Sequence, residues 1–246
     1  MKIILTLLLL FSAISVRAYV LTQGNDKSYI RWPELSPNIT FYINPANNDG
    51  ISDAEVLSIV SSSASEWNSN SGVNIGMIPT TVTGIDGRNE ISFSSNSLYF
   101  SGTGVVGLTN VAFREQDGTI LETDILLNDS VLFFGSSTLM TLAPSQNYLG
   151  NVLSHELGHA IGLGHSQVHS TTMFYKLYRG QHSLEHDDIA GAQAFYPTST
   201  SGTITGKVVG SSQLIGVIGT QVEAVSAKTG KVLSSAITDE DGFFRS

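Results

Sequence analysis

Residues 155–165 read His155-Glu156-Leu157-Gly158-His159-Ala160-Ile161-Gly162-Leu163-Gly164-His165. In an α-helix, residues four positions apart lie on one face, about 6 Å apart along the axis. His155 and His159 are therefore predicted to point their imidazoles at one zinc ion, which accepts such nitrogens at about 2.0 to 2.1 Å. Glu156 lies about 100° further round the helix. We expect it to act as a base on a water at the metal, and not as a ligand.

The third ligand requires a break in this helix. A continuous helix would carry residue 165 past the metal, so the chain must turn back after His159. Gly162 suits that turn, because glycine takes positive φ without steric cost. His165 then completes a set of three protein ligands, which leaves room for water as in catalytic zinc sites, whereas structural zinc sites have four. The simpler alternative is an ordinary helix with surface or core histidines.

The composition limits what any site can contain. The chain has 246 residues, 41% hydrophobic and 13% charged, which is enough for one large or two modest domains. Its formal charge of -9 argues against a nucleic-acid surface. The absence of cysteine from the sequence excludes disulfides, a cysteine nucleophile and thiolate zinc sites. Any metal must be bound by His, Asp or Glu.

The first 18 residues have the pattern of a signal peptide. Lys2 precedes an apolar run over residues 3–11, and Val16 and Ala18 are small residues at the positions that a signal peptidase reads. We predict cleavage after Ala18 and a secreted protein, extracellular, periplasmic or at the cell surface. The alternative is a membrane anchor, which needs about 20 apolar residues. No later stretch is long enough, so no membrane span is expected in the mature chain.

Hydrophobic periodicity predicts five strands and three helices before residue 198. Ser52-Asp53-Ala54-Glu55 is a capping box that begins an amphipathic helix over residues 53–68. A second helix is predicted over residues 146–161, and a third over 183–196 with Ser183 as its N-cap. Strands are predicted over residues 39–44, 73–78, 90–94, 105–113 and 120–127.

A small, polar linker after residue 198 leads to a β-rich tail. Strands are predicted there over residues 203–209, 217–225 and 232–238, followed by a turn. We divide the chain into a signal peptide (1–18), a domain with the histidine motif (19–198) and a truncated β domain (199–246). Three or four strands cannot close a sandwich of about seven, so we expect the last strands to be missing.

The histidine segment, followed by Ser170-Thr171-Thr172-Met173, resembles the metzincin clan of zinc endopeptidases. In that clan the pattern His-Glu-x-x-His-x-x-Gly-x-x-His precedes a methionine turn, for which Met173 is the candidate. The resemblance implies an α+β fold with a mixed twisted sheet and three helices. It also implies zinc as the cofactor and Glu156 as the catalytic base.

Within the clan the chain is most similar to bacterial-type matrixins, over about residues 29–197. The similarity rests on His165-Ser166, on the run Leu184 to Tyr196, and on segments 32–44, 86–89 and 118–125. It implies that Asp187 and Asp188 are structural and brace the last helix against the methionine turn and the mature N-terminus. The tail, through residues 202–209 and 238–244, resembles the carboxypeptidase regulatory-like domain, a non-catalytic transthyretin-like sandwich.

The sequence also departs from vertebrate-type matrixins. No histidine precedes His155, so their second, structural zinc is expected to be absent, and latency through a propeptide cysteine is excluded. Tyr175 stands where matrixins usually have proline. In the astacin and serralysin branches a tyrosine at that offset reaches the metal or the transition state. We favour the other interpretation, a wall residue of the substrate pocket.

Other polar residues have no motif partner. His169 and His182 are predicted to be surface histidines. Asp86, Asp124 and Asn128 are candidate oxygen ligands of a calcium ion, which the family's use of calcium suggests.

We therefore predict a monomeric, secreted zinc endopeptidase whose partners are protein or peptide substrates. Residues 105–113 are the expected edge strand for pairing with an extended substrate, and the pocket is expected between the zinc helix and residues 173–178. The first alternative is a zinc-binding adhesin or surface-binding module without catalysis. The second is a hydrolase of non-peptide amides.

Overall fold

The computed structural model describes residues 19–24, 28–83, 87–100, 104–130, 133–138, 146–198, 202–211 and 215–245. The predicted signal peptide, Asp86 and most of the linker lie outside these ranges. The helices are α1 (Asp53–Asn70), α2 (Ser97–Phe100), α3 (Leu149–Ala160) and α4 (His186–Phe195). The strands are β1 (Val20–Leu21), β2 (Asn38–Ile43), β3 (Asn74–Pro79), β4 (Asn89–Ser94), β5 (Gly107–Phe113), β6 (Ile120–Asn128), β7 (Phe133–Gly135), β8 (Gln146–Tyr148), β9 (Leu163–Gly164), β10 (Thr205–Lys207), β11 (Gln221–Val225), β12 (Val232–Ile237) and β13 (Phe243–Arg245).

A five-stranded mixed sheet confirms the predicted α+β class. Its strands lie in the order β3-β2-β4-β6-β5, all parallel except β5, which runs antiparallel to β6 at one edge. In β2 the side chains of Ile39, Phe41 and Ile43 are buried and alternate with more exposed residues. This period of two is that of a sheet with one face on the core. All five predicted strands are present, with ends within two residues of the prediction.

Helix α1 begins at the predicted capping box. The Ser52 side chain accepts from the Glu55 amide, and the Glu55 carboxylate accepts from the Ser52 amide. The buried stripe of α1 ends at Trp67, whose indole N–H donates to the Ser154 carbonyl at 3.0 Å. This hydrogen bond ties α1 to the middle of α3.

Helix α3 is shorter than predicted. Residues 146–148 pair with β7 as strand β8, so the helix begins at Leu149 and not at residue 146. It ends at Ala160, and Gly162 then takes a φ of 97°, the left-handed conformation expected for the turn. The chain passes so close to the Ile30 carbonyl at Gly162 that a Cβ would collide with it.

Helix α4 begins at His186, and the prediction of Ser183 as its N-cap is wrong. Glu185 is the N-cap and forms a reciprocal capping box with Asp188. Ser183 instead closes a turn, with both its amide and its hydroxyl donating to the Gly180 carbonyl. Short polar side chains such as serine stabilise turns as readily as they cap helices. The sequence alone therefore did not show which of these two roles Ser183 has.

The three predicted helices are present, together with the unpredicted four-residue helix α2. One turn of helix is too short to show a hydrophobic period, which explains why the pattern missed it. Among the described residues, no helix combines the length and apolar character that a membrane crossing requires.

The C-terminal tail, defined here as described residues 202–245, is β-structured as predicted. It consists of two antiparallel pairs, β10 with β13 and β11 with β12. The first tail strand is shorter than predicted, and the second begins at Gln221 and not at residue 217. Strand β12 packs against α4, so the tail contacts the domain that carries the histidine motif.

Candidate metal centre and active site

The structure brings the three predicted histidine ligands together. One ring nitrogen from each of His155, His159 and His165 lies within 4.8 Å of the others, and these three form the cluster of potential metal ligands among the described residues. His155 and His159 face each other with Nε2 atoms 3.1 Å apart. The His165 ring centroid lies 5.1 Å from that of His155 and 4.9 Å from that of His159. The turn at Gly162 therefore returns His165 to the helix, as predicted.

Backbone carbonyls determine which nitrogen of two of these rings carries hydrogen. His155 Nδ1 lies 2.7 Å from the Thr172 carbonyl oxygen, and His159 Nδ1 lies 2.7 Å from the Leu163 carbonyl oxygen. Because a carbonyl can only accept, both Nδ1 atoms must donate. The two facing Nε2 atoms then have lone pairs and no hydrogen in the neutral rings. Two acceptors that face each other this closely fit a cation between them, and zinc accepts this donor set.

The charge states of the three rings also suit a metal. Burial, together with the neighbouring His159, lowers the pKa of His155 to about 3. Burial lowers the pKa of His159. Burial and the charge of His159 lower the pKa of His165 to about 4. All three are neutral near pH 7, which is the form that binds metal ions.

Glu156 is buried beside the triad and not within it. Burial raises the pKa of its carboxyl to about 7, and a hydrogen bond from Thr109 opposes that shift. The Thr109 hydroxyl lies 2.6 Å from Oε2 of Glu156 and 3.1 Å from its backbone oxygen. Thr109 is on β5, so the edge strand orients the predicted base. A carboxyl with a pKa near neutrality is suited to accepting and returning a proton.

The methionine turn packs against helix α3, which carries two of the three histidines. Met173 is buried, and its thioether occupies the space that a Cβ on Gly158 would need. Asp188 accepts hydrogen bonds from the amides of Thr172 and Met173 at 2.8 and 3.0 Å. The Thr172 carbonyl in turn accepts from His155, so the buried carboxylate of Asp188 holds the turn that orients this histidine. This is the brace that the matrixin resemblance implied.

The other aspartate of the pair, Asp187, has different partners. Oδ2 accepts from the Ser166 hydroxyl at 2.7 Å, and Oδ1 accepts from the hydroxyl of Ser235 in the tail. Burial raises the pKa of Asp187, while these bonds and one from the Ser235 amide oppose the shift. The resemblance implied that the aspartate pair also braces the helix against the mature N-terminus, which stays a prediction. The bonds of Asp187 described here connect the tail with Ser166, the residue after His165.

A cleft of about 780 Å³ opens over the histidines. One wall is the edge strand β5 with the residues before it, and the other is segment 174–177. Tyr175 lines this second wall with 56% of its surface exposed, and its ring packs on Phe174 at 4.6 Å. This position agrees with the favoured role of a pocket wall.

The other candidates that the structure describes lie outside the cleft. His169 is exposed as predicted, stacked on Tyr178 at 4.9 Å. His182 is only half-exposed, because its Nδ1 lies 3.2 Å from Asn151 Oδ1 and its ring packs on Tyr148. Asp124 and Asn128 are four residues apart on β6, a separation of about 13 Å in a strand, which is too far to share one ion. Calcium binding stays a prediction.

Sequence reasoning missed three contributors to the site. Thr109, Ser166 and the Leu163 carbonyl act through contacts between distant or irregular segments. Leu163 and Ser166 lay within quoted motifs, but the motif marked neither the Leu163 carbonyl nor the partner of Ser166, Asp187, which is 21 positions away. No regular spacing in the sequence connects any of the three with the residue that it contacts.

Comparison with known proteins agrees with this geometry. A family model described as Matrixin matches residues 31–197. The hatching enzyme of Paracentrotus lividus is 30% identical over 181 residues, which are 72% of this chain and 28% of that protein. Metalloendoproteinase 2-MMP of Arabidopsis thaliana is 25% identical over 199 residues, 74% of this chain and 46% of that protein. Matrilysin of Rattus norvegicus is 55% identical over 49 residues, 18% of each. The chain therefore spans less than half the length of each of these relatives.

Proposed function

The chain belongs to the matrixin family, and on that premise we propose that it is a secreted zinc endopeptidase in which Glu156 is the catalytic base. The observation that carries the proposal is the convergence of three neutral imidazoles beside one buried carboxyl. A helix of ordinary surface histidines would have no need to desolvate a glutamate next to them.

The Nε2 atoms of His155 and His159, with the ring of His165, would bind the metal. Zinc in this position supplies Lewis acidity, which lowers the pKa of a coordinated water and polarises a substrate carbonyl. The Nδ1 bonds to the Leu163 and Thr172 carbonyls hold two of the ligand rings in place before any metal arrives. The protein thus provides a preorganised site.

Glu156 moves the proton in this proposal. Its carboxylate accepts a proton from the attacking water and then passes it to the amine that leaves. Thr109 fixes the orientation of the carboxylate through Oε2, which leaves Oε1 for the proton. Burial favours the protonated form enough for the group to hold a proton between the two steps.

Strand β5 supports an extended peptide as the substrate. It is an edge of the five-stranded sheet, and it forms one wall of the cleft. The peptide groups on its outer side can pair with a substrate backbone, a mode of binding that depends little on side chains. Side-chain preference then comes from the opposite wall, which includes Tyr175 and Leu177.

The rest of the proposal concerns the whole protein. We infer that residues 1–18 direct export, that the catalytic unit is residues 19–198, and that residues 199–246 are part of a carboxypeptidase regulatory-like domain. The apolar side chains exposed on the tail, such as Ile215 and Phe243, support the view that its sandwich is incomplete. We expect a monomer.

The test compares Glu156→Ala with the wild type and with Glu115→Ala, an exposed glutamate that serves as the matched control. Digestion of casein and of a peptide library should fall by about 10²- to 10⁴-fold in Glu156→Ala only. Bound zinc, measured by metal analysis, should stay at the wild-type level. Chelation should abolish wild-type activity, and added zinc should restore it.

Other outcomes identify the alternatives. Digestion that persists in Glu156→Ala would contradict the assignment of the base. Zinc binding by the wild type with no hydrolysis of any library peptide would favour the adhesin. Hydrolysis confined to small non-peptide amides would favour the other class of hydrolase.

A further inference from the structure

The three metal-binding histidines are not held equally. His155 and His159 each have a backbone carbonyl on Nδ1. The His165 side chain is the most exposed of the three, its ring packs against those of the other two histidines, and within the described part of the chain its ring nitrogens have no hydrogen bond to a carbonyl. Since no such bond holds the ring, its position depends strongly on its own backbone.

The residue that fixes this backbone is Ser166. Unlike His165, it is 1% exposed. Its amide donates to the Met173 carbonyl at 2.8 Å, and its hydroxyl accepts from the Val168 amide at 3.1 Å. The same hydroxyl donates to Asp187 at 2.7 Å. Ser166 is thus the anchor that presents its neighbour His165 to the metal.

The carboxylate that holds Ser166 is shared with the tail. The second oxygen of Asp187 accepts from the Ser235 hydroxyl, and the Ser235 amide also bonds this carboxylate. Ser235 and Asp187 are both buried, so solvent cannot readily replace either bond. A second contact lies nearby, where the Lys231 ammonium is 3.2 Å from the Glu185 carboxylate.

We propose that Ser235 in the tail is a positioning residue for His165, acting through Asp187 and Ser166. Docking of β12 on α4 then sets the affinity and geometry of the metal site, although the tail contributes no ligand. The inference rests on the proposed zinc site. It makes the tail part of the catalytic apparatus, in contrast to an appended module that acts independently.

The expected loss of zinc affinity depends on how many hydrogen-bonded residues lie between Ser235 and the metal. Loss of a direct hydrogen-bond partner of a ligand typically weakens metal affinity by about 10- to 100-fold. Ser235 is further removed, so we expect Ser235→Ala to weaken zinc affinity by about three- to tenfold. Ser166 is closer to the metal site, so Ser166→Ala should weaken zinc affinity more than Ser235→Ala does.

The experiment uses the full chain and four variants: Ser235→Ala, Ser166→Ala, the double variant and Ser226→Ala. Ser226 is the matched control, because its hydroxyl caps a turn inside the tail and accepts from the Thr229 amide. The zinc dissociation constant is measured by competition with a chelator. Cobalt substituted for zinc gives a visible spectrum that reports the ligand geometry.

If Ser235 and Ser166 act through one carboxylate, their effects are coupled. The double variant should lose less affinity than the product of the two single losses. The cobalt spectrum should change in Ser235→Ala and stay at the wild-type form in Ser226→Ala. Thermal unfolding of the zinc-free proteins checks that the variants fold. If Ser235→Ala does not fold, Ser235→Cys takes its place in the same measurements. Its thiol fills the space of the hydroxyl but donates only a weak hydrogen bond.

Two results would count against different claims. An unchanged zinc affinity and cobalt spectrum in Ser235→Ala, or losses that multiply in the double variant, would overturn the role of the tail and leave the zinc site in place. A wild-type protein that binds no zinc would overturn the proposed function instead.

Discussion

The domain with the histidine motif and the tail are built in different ways. In the first, α1 and α3 cover a five-stranded sheet, and nearly every residue of α3 is buried. The tail has only two pairs of short strands, and several of its large apolar side chains are exposed. Its fully buried residues Ser235 and Ala236 lie on β12, the strand that packs against α4. One region has its own core, whereas the other is most buried where it packs against its neighbour.

The largest expected difference is in stability, and two phenylalanines test it. Phe41 is fully buried in β2, and Phe243 is 53% exposed in β13 beneath the Lys207 ammonium. Phe41→Ala should lower the free energy of unfolding by about 3 to 5 kcal/mol, because it removes core contacts and leaves a cavity. Phe243→Ala should cost at most about 1 kcal/mol, since it removes a surface contact. Denaturant unfolding of both variants checks this.

Equal losses in the two variants would mean that the tail has a core of its own. The comparison between the regions would then be wrong, and the exposed apolar residues of the tail would need another explanation.

A smaller effect is expected at the edge strand that orients Glu156. Thr109→Val keeps the shape of the side chain but removes the hydroxyl 2.6 Å from Oε2. A hydrogen bond to a carboxylate is worth about 1.5 to 3 kcal/mol, so kcat should fall at least about tenfold. KM should change little, because the substrate still pairs with the same strand. Steady-state kinetics on a library-derived peptide measure both.

Thr109→Ser is the control, since it restores the hydroxyl and should recover most of the lost kcat. A rise in KM with an unchanged kcat would show that Thr109 contacts the substrate and not the base.

The smallest effect is expected for the second contact between the two regions. Lys231 and Glu185 form an ion pair at 3.2 Å, and both side chains are substantially exposed. Water and salt screen such pairs, so Lys231→Ala should change the free energy of unfolding by less than about 1 kcal/mol. Zinc affinity should not change. If Lys231→Ala weakens zinc affinity as much as Ser235→Ala does, the ion pair at the surface, and not the buried serine, is the contact through which the tail acts on the metal site.

The sequence was informative wherever chemistry depends on local spacing. The capping box at Ser52 and Glu55, the turn at Gly162 and the convergence of His155, His159 and His165 were all predicted and are all present. Each depends on residues within one or two turns of a helix or in one tight turn. Among the predicted helices the errors fell at the starts, where residues 146–148 joined a strand and Ser183 closed a turn.

The sequence by itself determined which side chains make up the candidate site, because the motif specifies the three imidazoles that converge and the carboxylate that stands beside them. Only the tertiary structure decided what holds them. The Thr172 and Leu163 carbonyls select the free nitrogens, Thr109 orients Glu156, and Asp187 joins Ser166 to Ser235. Four of these five hydrogen bonds join residues at least 17 positions apart, and the fifth, between His159 and Leu163, passes through an irregular turn. The four distant bonds exist only once helices, sheet and tail have packed together.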